Sequence, residues 1–317
     1  MIFGDKECSY RADHLWNEKV KELGFQTVTN VSVDSKDRLY VLTRQAPFVS
    51  VLSQNGELLE QWGEDQFLLP HDMCVDPEGR IYCVDSGAHA VYLLDHKHQV
   101  LDVYGEKGCP SDSGCVNKDY RTILRGAPPF HYPTGVSLAE NGDVYFSDGY
   151  GNARVHVFSR QGVWRKSWGS PGDGKGEFRL PHGIRVFQDR VYVADRENHR
   201  IQIFDLEGNY LEEWNGFCRP AGIFLDSAGN AYVSESKRAS DFDEAPSRVT
   251  ILNSAGKIKA RLENPLSAGY LPERGHHTAH SICVDSSGNI YIGEVGQKFP
   301  RGYCGLKRFC PVDGHSA

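Results

Sequence analysis

No stretch of this 317-residue chain approaches the roughly 20 consecutive apolar residues that a bilayer-crossing helix needs. Positive charge does not predominate either. With 35 Lys and Arg against 42 Asp and Glu, the net charge is −7, which argues against nucleic acid or an anionic membrane surface as the main partner. Cys-x-x-Cys spacing is absent among Cys8, Cys74, Cys83, Cys109, Cys115, Cys218, Cys283, Cys304 and Cys310, so a cysteine-based zinc site is not expected. Cys74, Cys83 and Cys283 fall inside strand patterns, where a thiol behaves as a small hydrophobe. Cys109 and Cys115 flank a loop and could pair, but reduced thiols and a cytoplasmic setting are the expectation. The opening MIFGDKECSYRADHLW has no apolar stretch of the secretory-leader kind, and none is expected there. Helical periodicity is missing after the first 24 residues.

What the chain does contain is an internal repeat. Six segments share one pattern: TNVSVDSKDRLYVLT (29–43), HDMCVDPEGRIYCVD (71–85), TGVSLAENGDVYFSD (134–148), HGIRVFQDRVYVAD (182–195), AGIFLDSAGNAYVSE (221–235) and HSICVDSSGNIYIGE (280–294). Each reads as a short strand, a tight corner such as Asp76-Pro77-Glu78-Gly79, and a β-rich return strand. A third strand follows (VYLLD, VHVFS, IQIFD, VTILN), and a fourth carries Trp or Tyr near its end (ELLEQWG, VLDVYG, VWRKSWG). Four antiparallel strands at a period near 40 residues predict an all-β, six-bladed β-propeller. One propeller domain over 1–317 is expected, with blades at roughly 25–66, 67–105, 131–178, 179–217, 218–277 and 278–314. The last copy lacks an obvious fourth strand, so the N-terminal stretch around Trp16 to Leu23 is expected to complete it. Inserts at Gly105–Phe130 and Lys237–Arg248 break the period, and long loops on a rigid scaffold are where substrate contacts concentrate.

Aligned at their first position, the six copies read Thr29, His71, Thr134, His182, Ala221 and His280. Imidazole alternates with a small side chain. A lone strand histidine is usually an ordinary core or surface residue, and with 13 in the chain some coincidence is expected. Strict alternation at one repeat position is harder to obtain by chance. If the copies close into a ring, His71, His182 and His280 converge, and three neutral imidazoles with an open fourth position are the ligand set of a catalytic zinc.

At the end of each second strand, five of the six copies carry an acidic residue, which is expected to hold the following loop by backbone hydrogen bonds. Arg44, Tyr150 and Arg196 stand out in the same region. Two arginines and a phenol near a zinc would supply anion binding and a proton acceptor.

FHYPTGVSLAENGDVYFSDGYGNARVHVFS and RLPHGIRVFQDRVYVADRENHRIQIF resemble the peptidyl-α-hydroxyglycine α-amidating lyases, six-bladed propellers related to the NHL-repeat proteins. The resemblance runs from about Val31 to Gly296, and SDGYGN (147–152) and VADRENHRIQ (193–202) are its most specific pieces. It implies zinc on His71, His182 and His280, a catalytic tyrosine at Tyr150, and active-site arginines at Arg44 and Arg196. It also implies a structural calcium held by the carbonyls of Val31 and Met73 and by an aspartate, whose position is Ser281 here; Asp72 is a carboxylate that could substitute. Two disulfides of the secreted animal members fall on His131 with Gly151 and on Tyr192 with Ile203, so neither forms. Thr278 replaces an active-site methionine, and the copper monooxygenase partner domain is absent from the sequence.

The expected activity is therefore zinc-dependent cleavage of a carbinolamide, R-CO-NH-CH(OH)-COOH or a close relative, to an amide and glyoxylate or a related carbonyl compound. The alternatives are a zinc hydrolase acting on a lactone, ester or amide, and a non-catalytic NHL-type binding propeller. The expected partner is a small or peptide-like substrate, with no nucleic acid or membrane.

Overall fold

The structure is a computed structural model and describes residues 2–5, 8–236, 247–263, 276–297 and 303–312. Most of the second expected insert, residues 237–246, lies outside them. Six antiparallel blades of four strands, one carrying an added outer strand, make a six-bladed β-propeller. The second strands (Ile81–Asp85, Val144–Asp148, Ala231–Glu235) are buried throughout, because both faces of each sheet are covered. Outermost strands such as Leu58–Trp62 are exposed until the closing Trp62. The chain divides into two compact units, Gly63–Pro220 with blades two to four, and Met1–Trp62 with Ala221–Ala317, holding blades one, five and six.

In the first unit, apolar side chains of adjacent blades interlock. Tyr145, Val155 and Val157 pack with Ile184, Val186 and Val193, and Tyr82 and Val84 pack with Val136 and Phe146. Several corners are Asx turns. Asp76 Oδ1 accepts from the backbone of Glu78 (2.9 Å) and Arg80 (2.8 Å), while Gly79 takes φ +80°. Asp226 and Asp285 repeat the device in the other unit.

The sixth blade corrects one expectation. Its fourth strand is Cys8–Ala12, paired antiparallel with Leu306–Pro311 and extended by Ile2–Asp5. Residues around Trp16 instead form a helix, His14–Lys21. Asp13 caps it by accepting from Trp16 N (3.1 Å), and Trp16 and Val20, one turn apart, supply its buried stripe. Trp16 donates its indole N–H to Gln54 O (3.0 Å) and lies under the Arg308 guanidinium. The N-terminus thus supplies the missing strand, but from residues ahead of those expected.

In five of the six blades the first strand carries a register shift at the repeat's first position. The ladder skips between Val28 and Asn30, Pro70 and Asp72, Pro133 and Gly135, Pro181 and Ile184, and Ala279 and Ser281. Thr29, His71, Thr134, His182 and His280 therefore sit on β-bulges. A bulge leaves its extra residue out of the ladder and re-aims its side chain.

The acidic residues closing the second strands hold loops, as expected, and on both sides. Asp85 accepts from Gly87 N (3.0 Å) and Ala88 N (3.1 Å) after it, and from Leu68 N (2.6 Å) and Leu69 N (2.8 Å) in the loop entering its own blade. Asp85→Asn turns one acceptor oxygen into a donor facing donors. We expect it to cost about 2 kcal/mol, the scale of a buried unsatisfied polar group, read as a lower urea midpoint with an unchanged slope. An unchanged midpoint would show that these bonds do not hold the loops.

Candidate active site

The bulges place the histidines. His71 and His182 are buried with ring centroids 4.9 Å apart in the unit of blades two to four, and His280 is buried in the other unit. In blades two to four, His71 Nδ1 bonds the carbonyl of Thr134 (2.7 Å), itself a bulge residue. In the other unit, His280 Nδ1 bonds the carbonyl of Thr29 in the same way (2.8 Å). An imidazole that donates Nδ1–H to a carbonyl keeps its Nε2 lone pair for a ligand. Further backbone groups here are claimed by side chains: Ser147 Oγ donates to His182 O (2.6 Å) and Thr134 Oγ1 to Pro181 O (2.8 Å). The small members of the alternation are thus supports for the imidazoles. Threonine at these positions gave no hint of that role in the sequence, since the useful atom is its carbonyl.

Tyr150 is brought directly to the histidines. Its hydroxyl lies 3.1 Å from His71 Nε2 and 3.2 Å from His182 Nε2. The loop carrying it is fixed by Asp148, which accepts from His131 N (2.9 Å) and from Asn152 Nδ2 (2.8 Å). Gly149, just before Tyr150, admits no side chain: a Cβ there would stand 2.0 Å from Pro181 O. The two pairs that the family resemblance marked for disulfides are indeed adjacent. Gly151 N donates to His131 O (2.9 Å), and Tyr192 and Ile203 face each other across neighbouring strands. Cys109 and Cys115 are both thiols.

Arg196 reaches the same place, its guanidinium carbon 5.5 Å from the centre of the Tyr150 ring. Glu197, unremarked in the sequence, orients it. Its buried carboxylate accepts from Arg196 Nε (3.1 Å) and from Arg219 Nη2 (2.6 Å). Asp195 accepts from Arg179 N (2.8 Å), Asn198 (2.8 Å) and Arg200 (2.9 Å), yet burial outweighs these donors and pushes its carboxyl up to about 6.

Arg44 lies in the unit that holds His280. Its backbone N–H donates to Thr27 O (3.2 Å), and its Nε is buried with no hydrogen-bond partner among the described residues. A buried guanidinium N–H in that condition suits an anion yet to arrive. Of the residues assigned to calcium, Val31 and Met73 are buried strand residues, and Asp72 accepts from Val136 N (2.9 Å). Desolvation pushes the Asp72 carboxyl up to about 7 against the pull of its backbone donors and Arg185.

The chain is similar to several known proteins. The NHL repeat matches residues 130–158 and 178–204. The rat peptidylglycine alpha-amidating monooxygenase is 26% identical over 302 residues, covering 90% of this chain and 28% of the rat protein. The Drosophila melanogaster peptidyl-alpha-hydroxyglycine alpha-amidating lyase 1 is 27% identical over 274 residues, covering 80% of this chain and 47% of the fly protein. The chain therefore spans less than half the length of either relative. A gluconolactonase structure from Xanthomonas campestris superposes with a TM-score of 0.60 at 13% identity, over 98% of this chain and 97% of that one, a likeness of fold alone. The chain is thus a six-bladed β-propeller with two segments that match the NHL repeat, and it is similar to the amidating lyases.

Proposed function

We propose that the protein is a zinc-dependent carbon–nitrogen lyase of the amidating type, cleaving R-CO-NH-CH(OH)-COOH to an amide and glyoxylate. The observation that carries this reading is the Tyr150 hydroxyl bonded between two imidazole Nε2 atoms with the Arg196 guanidinium over its ring. The histidine triad fits zinc by its chemistry: all-nitrogen donors, buried, with His71 and His280 held by carbonyls at Nδ1. Bound there, zinc would supply a Lewis acid for the substrate's hydroxyl end. Acting as a phenolate, Tyr150 accepts the hydroxyl proton, the C–N bond breaks as the carbonyl forms, and the proton passes on to the departing amide nitrogen, which restores the phenolate. Arg196 balances the charge of the phenolate before and after proton transfer, and Glu197 keeps Arg196 in place. Arg44 binds the substrate carboxylate. We also propose a reducing, cytoplasmic setting, because His131 with Gly151 and Tyr192 with Ile203 stand where the secreted relatives of the resemblance carry disulfides.

Purified protein is expected to hold close to one zinc per chain, and His182→Ala to lose most of it, because two imidazoles make a poor zinc site. Stoichiometric zinc persisting in a variant with His71, His182 and His280 all replaced by alanine would remove the metal site from this reading.

With α-hydroxyhippurate as substrate, benzamide and glyoxylate are the diagnostic products. Tyr150→Phe should keep zinc and fold while turnover falls about 10²-fold or more, the scale of losing a general base. Arg196→Ala should lower kcat comparably, and Arg44→Ala should raise KM as well, since an arginine on a carboxylate acts in the ground state too. If Tyr150→Phe cleaves as fast as the parent, the assignment of Tyr150 fails. If zinc-loaded parent hydrolyses lactones or esters and leaves carbinolamides untouched, the protein is a hydrolase.

A further inference from the structure

The Gly105–Phe130 insert is built onto the loop that carries Tyr150. The Cys115 thiol bonds Tyr150 O (3.8 Å), Ser113 Oγ donates to Gly151 O, and Ala127 N donates to Asn152 Oδ1 (3.2 Å). Three consecutive residues of the active-site loop are therefore tied to three points of the insert. At its tip the chain reverses over Val116–Asp119, closed by Asp119 N donating to Val116 O (3.0 Å). The two central residues, Asn117 and Lys118, both adopt left-handed backbone, with φ +53° and +57°. A turn of this kind usually places glycine at its second central position, so a lysine there is a conformational cost that needs a reason.

The reason is where the side chain goes. Lys118 Nζ stands 4.6 Å from the centre of the Tyr150 ring and 4.6 Å from that of Tyr132. Tyr132 is itself left-handed (φ +58°) and pinned by donating its N–H to His89 Nδ1 (3.1 Å). With Arg196 also on the ring, the Tyr150 phenol carries two cations. One suffices to balance a phenolic oxygen. A second, presented by a dedicated insert, suits an anion on the substrate.

We propose that Lys118 is a substrate-binding residue, an ammonium that the insert holds at the active site to take a carboxylate of the substrate. The assignment rests on the active site proposed above, and its test needs no turnover. The carboxylate has two possible sources, the α-carboxylate of the glycine-derived part or one on the acyl group.

Three unreactive ligands separate these sources by titration calorimetry on zinc-loaded protein: hippurate, with the α-carboxylate only; 4-carboxybenzoylglycinamide, with the acyl-side carboxylate only; and neutral benzoylglycinamide. Lys118→Met should weaken one or both carboxylate ligands about tenfold or more, the value of a charge-assisted hydrogen bond, and leave the neutral amide unchanged. Lys118→Arg should restore most of the loss. Lys118→Asn, which tolerates left-handed backbone, removes the charge without disturbing the turn and should match Lys118→Met. Weakening of hippurate identifies the α-carboxylate, and weakening of the acyl-side acid alone identifies the acyl group. Equal binding of both acids by parent and Lys118→Asn, or no binding of either acid by the parent, overturns the proposal. If hippurate binds through Lys118 while α-hydroxyhippurate survives uncleaved, Lys118 stands and the lyase reading falls.

Discussion

A backbone irregularity carries this site. The first strand of a blade would, in perfect register, spend every N–H and C=O on the neighbouring strand. The bulge at the repeat's first position withholds one residue from that ladder. The withheld carbonyl must find a donor, since it is buried. At Thr134 that donor is His71 Nδ1, and at Thr29 it is His280 Nδ1. One interaction thereby satisfies an orphaned carbonyl, fixes an imidazole tautomer, and aims the opposite ring nitrogen into the site. Removing the bulge would return the carbonyl to the ladder and leave the histidine without an orienting partner.

This explains why imidazole alternates with small residues. The bulge carbonyl that receives His71 belongs to threonine, and so does the one that receives His280. The remaining polar groups there are closed by hydroxyls: Thr134 Oγ1 on Pro181 O, Ser147 Oγ on His182 O, and Ser234 Oγ on His280 O. The result is a rigid surround for the imidazoles, in which His71 and His182 turn their Nε2 atoms to the Tyr150 hydroxyl.

How much of this was legible in the sequence depended on whether a feature repeats. The blades were readable because their corners recur as Asp-x-x-Gly in three copies and in related forms in the others, and their second strands as apolar runs. The histidines were readable because they share a repeat position, although the bulge that makes that position special leaves no residue signature of its own. Features that occur once were harder to see. Trp16–Leu23 reads as a plausible closing strand by its place in the chain, but Asp13 as a cap and the Trp16/Val20 spacing make it a helix, and the strand is Cys8–Ala12. Glu197 lies inside the recognised RENH run, yet its job of coupling Arg196 to Arg219 depends on a residue 22 positions away. The role of Lys118 was invisible, because it depends on two left-handed residues that no local preference demands.

The site therefore divides by rigidity. Histidines and their carbonyl supports belong to strands whose position is set by the packing of whole blades, so their geometry is costly to alter. Tyr150 and Arg196 occupy the short loops just past the second strands, held by Asp148 and Asp195 within a few residues. The Gly105–Phe130 insert touches the active-site loop through a handful of hydrogen bonds and contributes no strand to any blade. Changes there can reshape what the site admits without disturbing the bulges that hold the imidazoles. On the proposed reading, reaction chemistry and substrate choice are carried by parts of the chain held with different rigidity, and the second can change while the first is kept.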